Sequence, residues 1–330
     1  MIARAGLTFC ALLFFCIRQV NAQDDISQES LYTCVAEDLK TASSDMTVGE
    51  LREHCRQPIN HSIVGERSVF EKQASSNPFA ILPHKPSYIL PFTYSKPKEG
   101  PYGDLLQGEE FDDAEIKFQI SIKFLAHENL FVEGLNVHAA FTSTSWWQAY
   151  NSDISAPFRE TNYEPEIIFG YSKPWSLLGI PIIHSSLSLN HQSNGQAGVL
   201  SRSWNRVIAE VTTASDSLLW NARAWWRIPE DDKESPTGVG GDDNPNIEKY
   251  MGYGDLGVLW KLPKQHNLDM LLRNNFRSDN KGAVQLGWSF PLSRHLRGYV
   301  EYFNGYGESL IYFNQNVQRF GVGVKLTDWL

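Results

Sequence analysis

From about Tyr88 onward, apolar and polar residues alternate. Ile116, Phe118, Ile120, Ile122 and Phe124 are separated by Lys117, Gln119, Ser121 and Lys123, so an extended backbone turns every apolar side chain to one face. Phe320, Val322, Val324, Leu326 and Leu330 alternate with Gly321, Gly323, Lys325 and Thr327 near the C-terminus. Similar segments lie near 88–95, 134–148, 164–174, 181–193, 201–213, 217–228, 247–262, 267–277, 282–290 and 295–304. The pattern predicts about twelve strands, most long enough to cross a bilayer on a tilt. Long connections (96–111, 149–163, 229–246, 305–315) alternate with short ones (174–180, 213–217, 263–266, 291–295). That asymmetry is expected of a membrane barrel with a periplasmic N-terminus. A soluble sandwich or lipocalin-like protein also alternates, but so many strands of this length exceed one lipocalin.

The chain before Tyr88 reads differently. Arg4, the apolar stretch Gly6 to Ile17 and the small residues before Gln23 predict a signal peptide over 1–22. Its removal takes Cys10 and Cys16 and leaves Cys34 and Cys55, an even number in an oxidising compartment, for which a disulfide is the default. Thr47 with Glu50 three residues on opens a helix-like segment, and Leu31 to Leu39 is also helical in pattern. Residues 23–85 are therefore expected to form a small periplasmic, disulfide-linked helical segment, and 86–330 the barrel.

Composition adds an exclusion and an ambiguity. With 29 Lys plus Arg against 38 Asp plus Glu, the formal charge of −9 argues against a nucleic-acid binder. No apolar run after the leader is long enough for a membrane helix. The apolar share of 42% and mean hydropathy of −0.33 suit a soluble protein. They equally suit strands with one apolar and one polar face.

Candidate chemistry concentrates in one hairpin, 187–211. Leu187, Leu189, His191 and Ser193 share a face of one strand, and Asn205, Val207, Ala209 and Val211 share a face of the next. A turn centred near Gly198 sets His191 opposite Asn205, with all three polar residues on the outer surface. Such a trio can act as nucleophile (Ser193), general base (His191) and orienter (Asn205). The Gly195 N–H is free to approach an oxyanion. An isolated His-x-Ser pair reads equally well as interfacial decoration at a barrel rim.

The blocks N-H-Q-S-N-G and S-R-S-W-N-R around this hairpin resemble the signature of outer membrane phospholipase A. So do S-W-W-Q at 145–148, P-F-R-E-T-N-Y-E-P at 157–165, D-D-N-P at 242–245, K-Y-M-G-Y at 249–253 and G-Y-G-E-S-L-I at 305–311, in matching order. The resemblance implies a twelve-stranded outer-membrane barrel that hydrolyses sn-1 and sn-2 acyl esters of phospholipids and lysophospholipids. It also implies a Ser193–His191–Asn205 triad with Gly195 in the oxyanion hole, and activity as a homodimer acting on phospholipid of the outer leaflet. Calcium would be held by the Ser201 side chain and the Gln196 carbonyl, with the Ser155 carbonyl supplied by the partner subunit and Asp243 available nearby. Two positions depart from the family. Gly198 stands where it carries an acidic residue implicated in calcium binding, and Ser143 where a glutamine serves dimer contacts.

Other features invite plainer readings. Glu230, Asp231, Asp232, Lys233 and Glu234 read as a solvated extracellular loop. The stretch G-Y-G-E-S-L at 305–310 reads as a structured loop, because no histidine lies beside it. Of Trp146–Trp147 and Trp225–Trp226, one ring of each pair is expected inside and one outside. The alternative function is a non-catalytic barrel, either a channel or a structural or adhesion protein. A general porin needs a wider barrel, and the inner faces here carry Arg202, Trp204, Arg206, Glu210, Arg223 and Arg227, which could pack and plug the lumen.

Overall fold

The computed structural model describes residues 80–327, apart from 97–101, 103–105, 107, 236, 239 and 294–295, together with positions 47 and 49. The signal peptide, the Cys34–Cys55 pairing and Trp329–Leu330 lie outside the described residues.

Twelve long strands form an antiparallel meander. They are β2 (Ser87–Ser95), β3 (Ala114–His127), β4 (Leu135–Trp147), β5 (Phe158–Tyr171), β8 (His184–Ser193), β9 (Ser203–Ala214), β10 (Leu218–Arg227), β11 (Gly254–Leu262), β12 (His266–Asn274), β13 (Gly282–Pro291), β14 (Arg297–Tyr306) and β15 (Asn316–Thr327). Each pairs with its neighbours along the chain, and the last closes on the first through Phe320↔Tyr94 and Val322↔Phe92. Closure removes the sheet edges that a bilayer would leave unsatisfied. Short pieces complete the set: β1 (Leu82–Pro83), paired to β3, and a small hairpin of β6 (Trp175–Leu177) and β7 (Ile180–Ile182).

The structure moves three strand boundaries. Strand β5, the fourth of the barrel, starts at Phe158, so Arg159 to Asn162 belong to it and not to a loop. Their polarity reflects an inward view, with Arg159, Glu160 and Asn162 buried. The segment near 247–262 divides into a helical turn α1 (Glu248–Met251) and β11, separated by Gly252 at φ +65°. A Cβ at Gly252 would lie 2.5 Å from the Asn274 carbonyl oxygen. The segment near 181–193 breaks after Ile182, and β8 begins at His184.

The two-residue period sorts side chains as expected. Ile120, Phe124, Phe141, Ile167, Leu187, Leu189, Leu286, Phe320 and Val322 are exposed on the outer wall, while Lys117, Ser121, Thr142, Asn190, Arg206 and Asn221 are buried in the lumen. Trp146 and Trp225 are buried, and Trp226 is exposed. Hydrophobic caps close the end carrying the long loops. Ile247 and Met251 of the α1 segment pack with Trp204, Trp225, Leu310 and Phe313, and Ile311 and Tyr312 pack with Tyr102, Phe303 and Val317. Glu160 and Asn162 accept the backbone N–H groups of Ile311 and Leu310 at 2.8 and 2.9 Å. The G-Y-G-E-S-L stretch therefore leads into an inward-folded plug, an arrangement that suits an enzyme scaffold better than an open channel.

Beneath that plug the lumen is held by charge. Glu115 accepts from Arg159 Nε and Nη2 at 2.9 and 2.7 Å and from Arg319 at 2.7 Å, and Arg319 also pairs with Glu308. All four side chains are essentially removed from solvent. Removing one member of such a set strands the others in low dielectric, at a cost of about 3–5 kcal/mol. Glu115→Ala should therefore lower the unfolding midpoint in detergent micelles sharply, read from the heat-induced gel shift. Glu133→Ala, which breaks an exposed pair with Lys173, should leave it unchanged.

Candidate active site

Strands β8 and β9 carry the candidate trio in the predicted register. His191 lies opposite Asn205, and Ser193 opposite Ser203. Leu187 and Leu189, four and two residues before His191, are half exposed on the outer wall, so His191 and Ser193 continue an outward, lipid-side stripe. The His191 Nδ1–H donates to Asn205 Oδ1 at 2.8 Å. That bond leaves Nε2 as the proton acceptor of the ring. Among the described residues no hydrogen bond joins the Ser193 hydroxyl to His191. Such contacts commonly tighten only once substrate is bound.

The loop joining the two strands is built around a buried side chain. Asn194 is 2% exposed. Its Oδ1 accepts the backbone N–H groups of Arg202 at 2.9 Å and Gln196 at 3.3 Å, and its Nδ2 donates to the Leu200 carbonyl at 2.9 Å. Gly195 sits at φ +65°, where a Cβ would come 3.2 Å from the Tyr163 ring. Both facts favour glycine at the position that would offer an N–H to an oxyanion. Gly198, also at positive φ, opens a 3-10 turn over Gly198–Leu200 and faces open space.

The loop between β10 and β11 packs against the same site. Asn244 is fully buried and donates to the Ser203 carbonyl at 2.8 Å. Asp242 accepts from Arg227. Asp243 Oδ2 accepts from the hydroxyls of Ser201 at 2.8 Å and Ser203 at 2.9 Å, and Asp243 Oδ1 pairs with the Lys233 ammonium. Burial opposes ionisation of Asp243, but hydrogen bonds from Lys233, Ser201 and Ser203 outweigh it and hold the carboxyl below its usual range. The D-D-N sequence thus anchors this loop residue by residue: Asp242 to the end of β10, Asp243 to Ser201 and the start of β9, and Asn244 to the start of β9.

Of the predicted metal ligands, Ser201 and Asp243 are in direct contact, whereas among the described residues Gln196 and Ser155 are exposed loop positions that make no hydrogen bond to that pair. Asp243 is not a free carboxylate, because Lys233 already faces it. Two residues of the acidic loop correct the expectation of a merely solvated surface. One is Lys233, and the other is Glu230, whose Oε1 accepts from Asn205 Nδ2 at 3.1 Å. Extending the β9–β10 register beyond Trp226↔Val207 brings 228 beside Asn205, where Ile228 N–H donates to the Asn205 carbonyl at 2.8 Å. Parity then turns Glu230 outward as well, so its place was legible once the register was extended.

A model of the phospholipase A1 family matches residues 64–326. The chain is similar to the phospholipase A1 of Klebsiella pneumoniae, with 35% identity over 256 residues covering 78% of this chain and 85% of that one. It is similar to the outer membrane phospholipase dimer of Salmonella typhi with bound calcium, at a TM-score of 0.69 and 33% identity, covering 77% of this chain and 94% of that one. It is also similar to an active-site mutant of outer membrane phospholipase A from Escherichia coli in which asparagine is replaced by alanine, at a TM-score of 0.68 and 32% identity, covering 77% and 94%.

The buried amide of Asn194 makes a local prediction. Asn194→Ala leaves three backbone groups of the loop without partners and should free 195–201 while the barrel stays closed. Limited proteolysis should cut within that loop in the variant and spare the parent, with the heat-induced gel shift unchanged.

Proposed function

The chain belongs to the phospholipase A1 family of the bacterial outer membrane, and on that premise we propose that it hydrolyses sn-1 and sn-2 acyl esters of phospholipids and lysophospholipids with Ser193 as nucleophile. The observation that carries this reading is the 2.8 Å bond from His191 to Asn205, with Ser193 next on the same outward face. Ser193 Oγ attacks the ester carbonyl as His191 Nε2 takes its proton. The oxyanion faces the Gly195 N–H. Collapse returns the proton to the leaving alcohol and leaves an acyl group on Ser193. Water, deprotonated by His191, then releases the fatty acid.

The oxygen donors at the adjoining loop suit a hard divalent cation. The Ser201 hydroxyl meets one oxygen of the Asp243 carboxylate, and the other oxygen already holds a positive charge, that of Lys233. Ser201, Asp243 and the Gln196 carbonyl, with the carbonyl of Ser155 from a second copy, would hold calcium of the kind the Salmonella typhi dimer binds. When bound, calcium would supply Lewis acidity toward the ester carbonyl. On this reading the enzyme works as a homodimer, and phospholipid reaching the outer leaflet is its substrate.

Release of fatty acid from mixed micelles tests the triad. Ser193→Ala and His191→Ala should each lower kcat by about a thousandfold or more, and Asn205→Ala by less, because a neutral orienter stabilises imidazolium weakly. Activity surviving in Ser193→Ala would remove it as nucleophile. Calcium binding can be followed separately by titration calorimetry. Asp243→Ala should weaken it by about tenfold, and Lys233→Met should tighten it by removing a tethered competitor. Weaker binding in Lys233→Met would contradict this assignment.

A further inference from the structure

We infer that Glu230 is a positioning residue of the catalytic centre, acting on His191 through Asn205. The inference rests on the triad proposed above and extends it outward by one carboxylate. The Asn205 amide lies between two partners: its Oδ1 accepts from His191 Nδ1 at 2.8 Å, and its Nδ2 donates to Glu230 Oε1 at 3.1 Å.

The chemistry of the amide explains why an acidic group belongs there. An asparagine side chain can turn either its oxygen or its nitrogen toward a neighbour. With the nitrogen toward His191, the ring would have to accept at Nδ1 and carry its proton on Nε2, where it cannot take one from Ser193. A carboxylate only accepts, so Glu230 bonds only to the NH2 end. It therefore fixes the oxygen toward His191 and leaves Nε2 basic. Its charge, one amide away, also favours the imidazolium formed as Ser193 loses its proton.

Anchoring of the loop does not account for the contact. Ile228 N–H to the Asn205 carbonyl at 2.8 Å and Asn244 Nδ2 to the Ser203 carbonyl at 2.8 Å already tie both ends of the loop to β9. The other surroundings of His191 are nearly neutral. Outward positions beside it are Tyr163, Pro165 and Ile167 on β5 and Ser203, Asn205 and Val207 on β9, of which only Tyr163 is titratable. Glu164, Glu166 and Arg206 on the same strands turn to the lumen and pair there. On the loop, Lys233 is paired with Asp243, and Asp231 and Asp232 are exposed.

Steady-state hydrolysis and the rate of Ser193 labelling by a long-chain alkyl sulfonyl fluoride test this on the full-length protein in micelles. Glu230→Ala should lower kcat and the labelling rate by about tenfold with KM unchanged, the scale of one charge-assisted hydrogen bond acting at one remove. Glu230→Gln, which keeps an acceptor, should recover part of the loss. Both variants lower the basicity of His191, so the acid limb of kcat/KM against pH should move to lower pH. In an Asn205→Ala background, Glu230→Ala should have no further effect. An equal loss in that background, or an unmoved acid limb, would overturn the inference and leave Glu230 a loop residue. Labelling that persists in Ser193→Ala would instead overturn the nucleophile assignment beneath it.

Discussion

A bilayer offers no hydrogen bonds, and the architecture follows from that constraint. Each backbone N–H and carbonyl at membrane depth must find a partner within the protein, which a closed antiparallel meander provides. Closure fixes the two-residue period, and the period sends every second side chain into a lumen that lipid never reaches. Charges are admitted there on condition that they are paired. Glu115 between Arg159 and Arg319, Lys117 on Glu301 at 2.6 Å, and Arg206 with Glu164 and Asn190 meet that condition. The same pairing ties the 307–315 plug to the wall through Glu308, so the lumen acts as a core built from ions.

With the interior committed to holding the barrel together, the candidate groups sit on the outer wall. One hairpin supplies the three candidate groups, and the lipid-side surface supplies the apolar approach. Such a site lacks the concave walls of a soluble hydrolase. Its order comes from the loops that flank it. Asn194 ties down one loop from within, and the successive residues Asp242, Asp243 and Asn244 fasten the other to Arg227, to the hydroxyls of Ser201 and Ser203, and to the Ser203 backbone.

Period and register made most of this legible in the sequence. Ile116 to Phe124 announced an outer wall, and symmetry about Gly198 was enough to set His191 opposite Asn205. Polarity misled where it was read as exposure. Arg159, Glu160 and Asn162 looked like a loop because charged residues usually seek water, yet in a barrel they line the lumen. The acidic run hid two more, because such a run normally marks a solvated face: Glu230 emerges only when the β9–β10 register is carried past Trp226, and Lys233 only when the loop folds back on Asp243. The helical turn at 248–251 was masked by Tyr250 and Met251, which prolong an apolar pattern that the backbone abandons at Gly252.

The choice of asparagine at 205 follows from where the site sits. An aspartate there would place a full charge on the outer wall of the barrel, on the stripe that continues through Val207 and Leu189, where burying an ion against lipid is costly. A neutral amide avoids that cost but gives up both the charge and the assurance of orientation that a carboxylate brings. Glu230 restores both from the loop, at the end of the barrel where water can solvate its second oxygen. In the triad proposed here the electrostatic part is thereby moved one hydrogen bond outward, from the membrane-facing strand to the loop, while the imidazole stays on the strand.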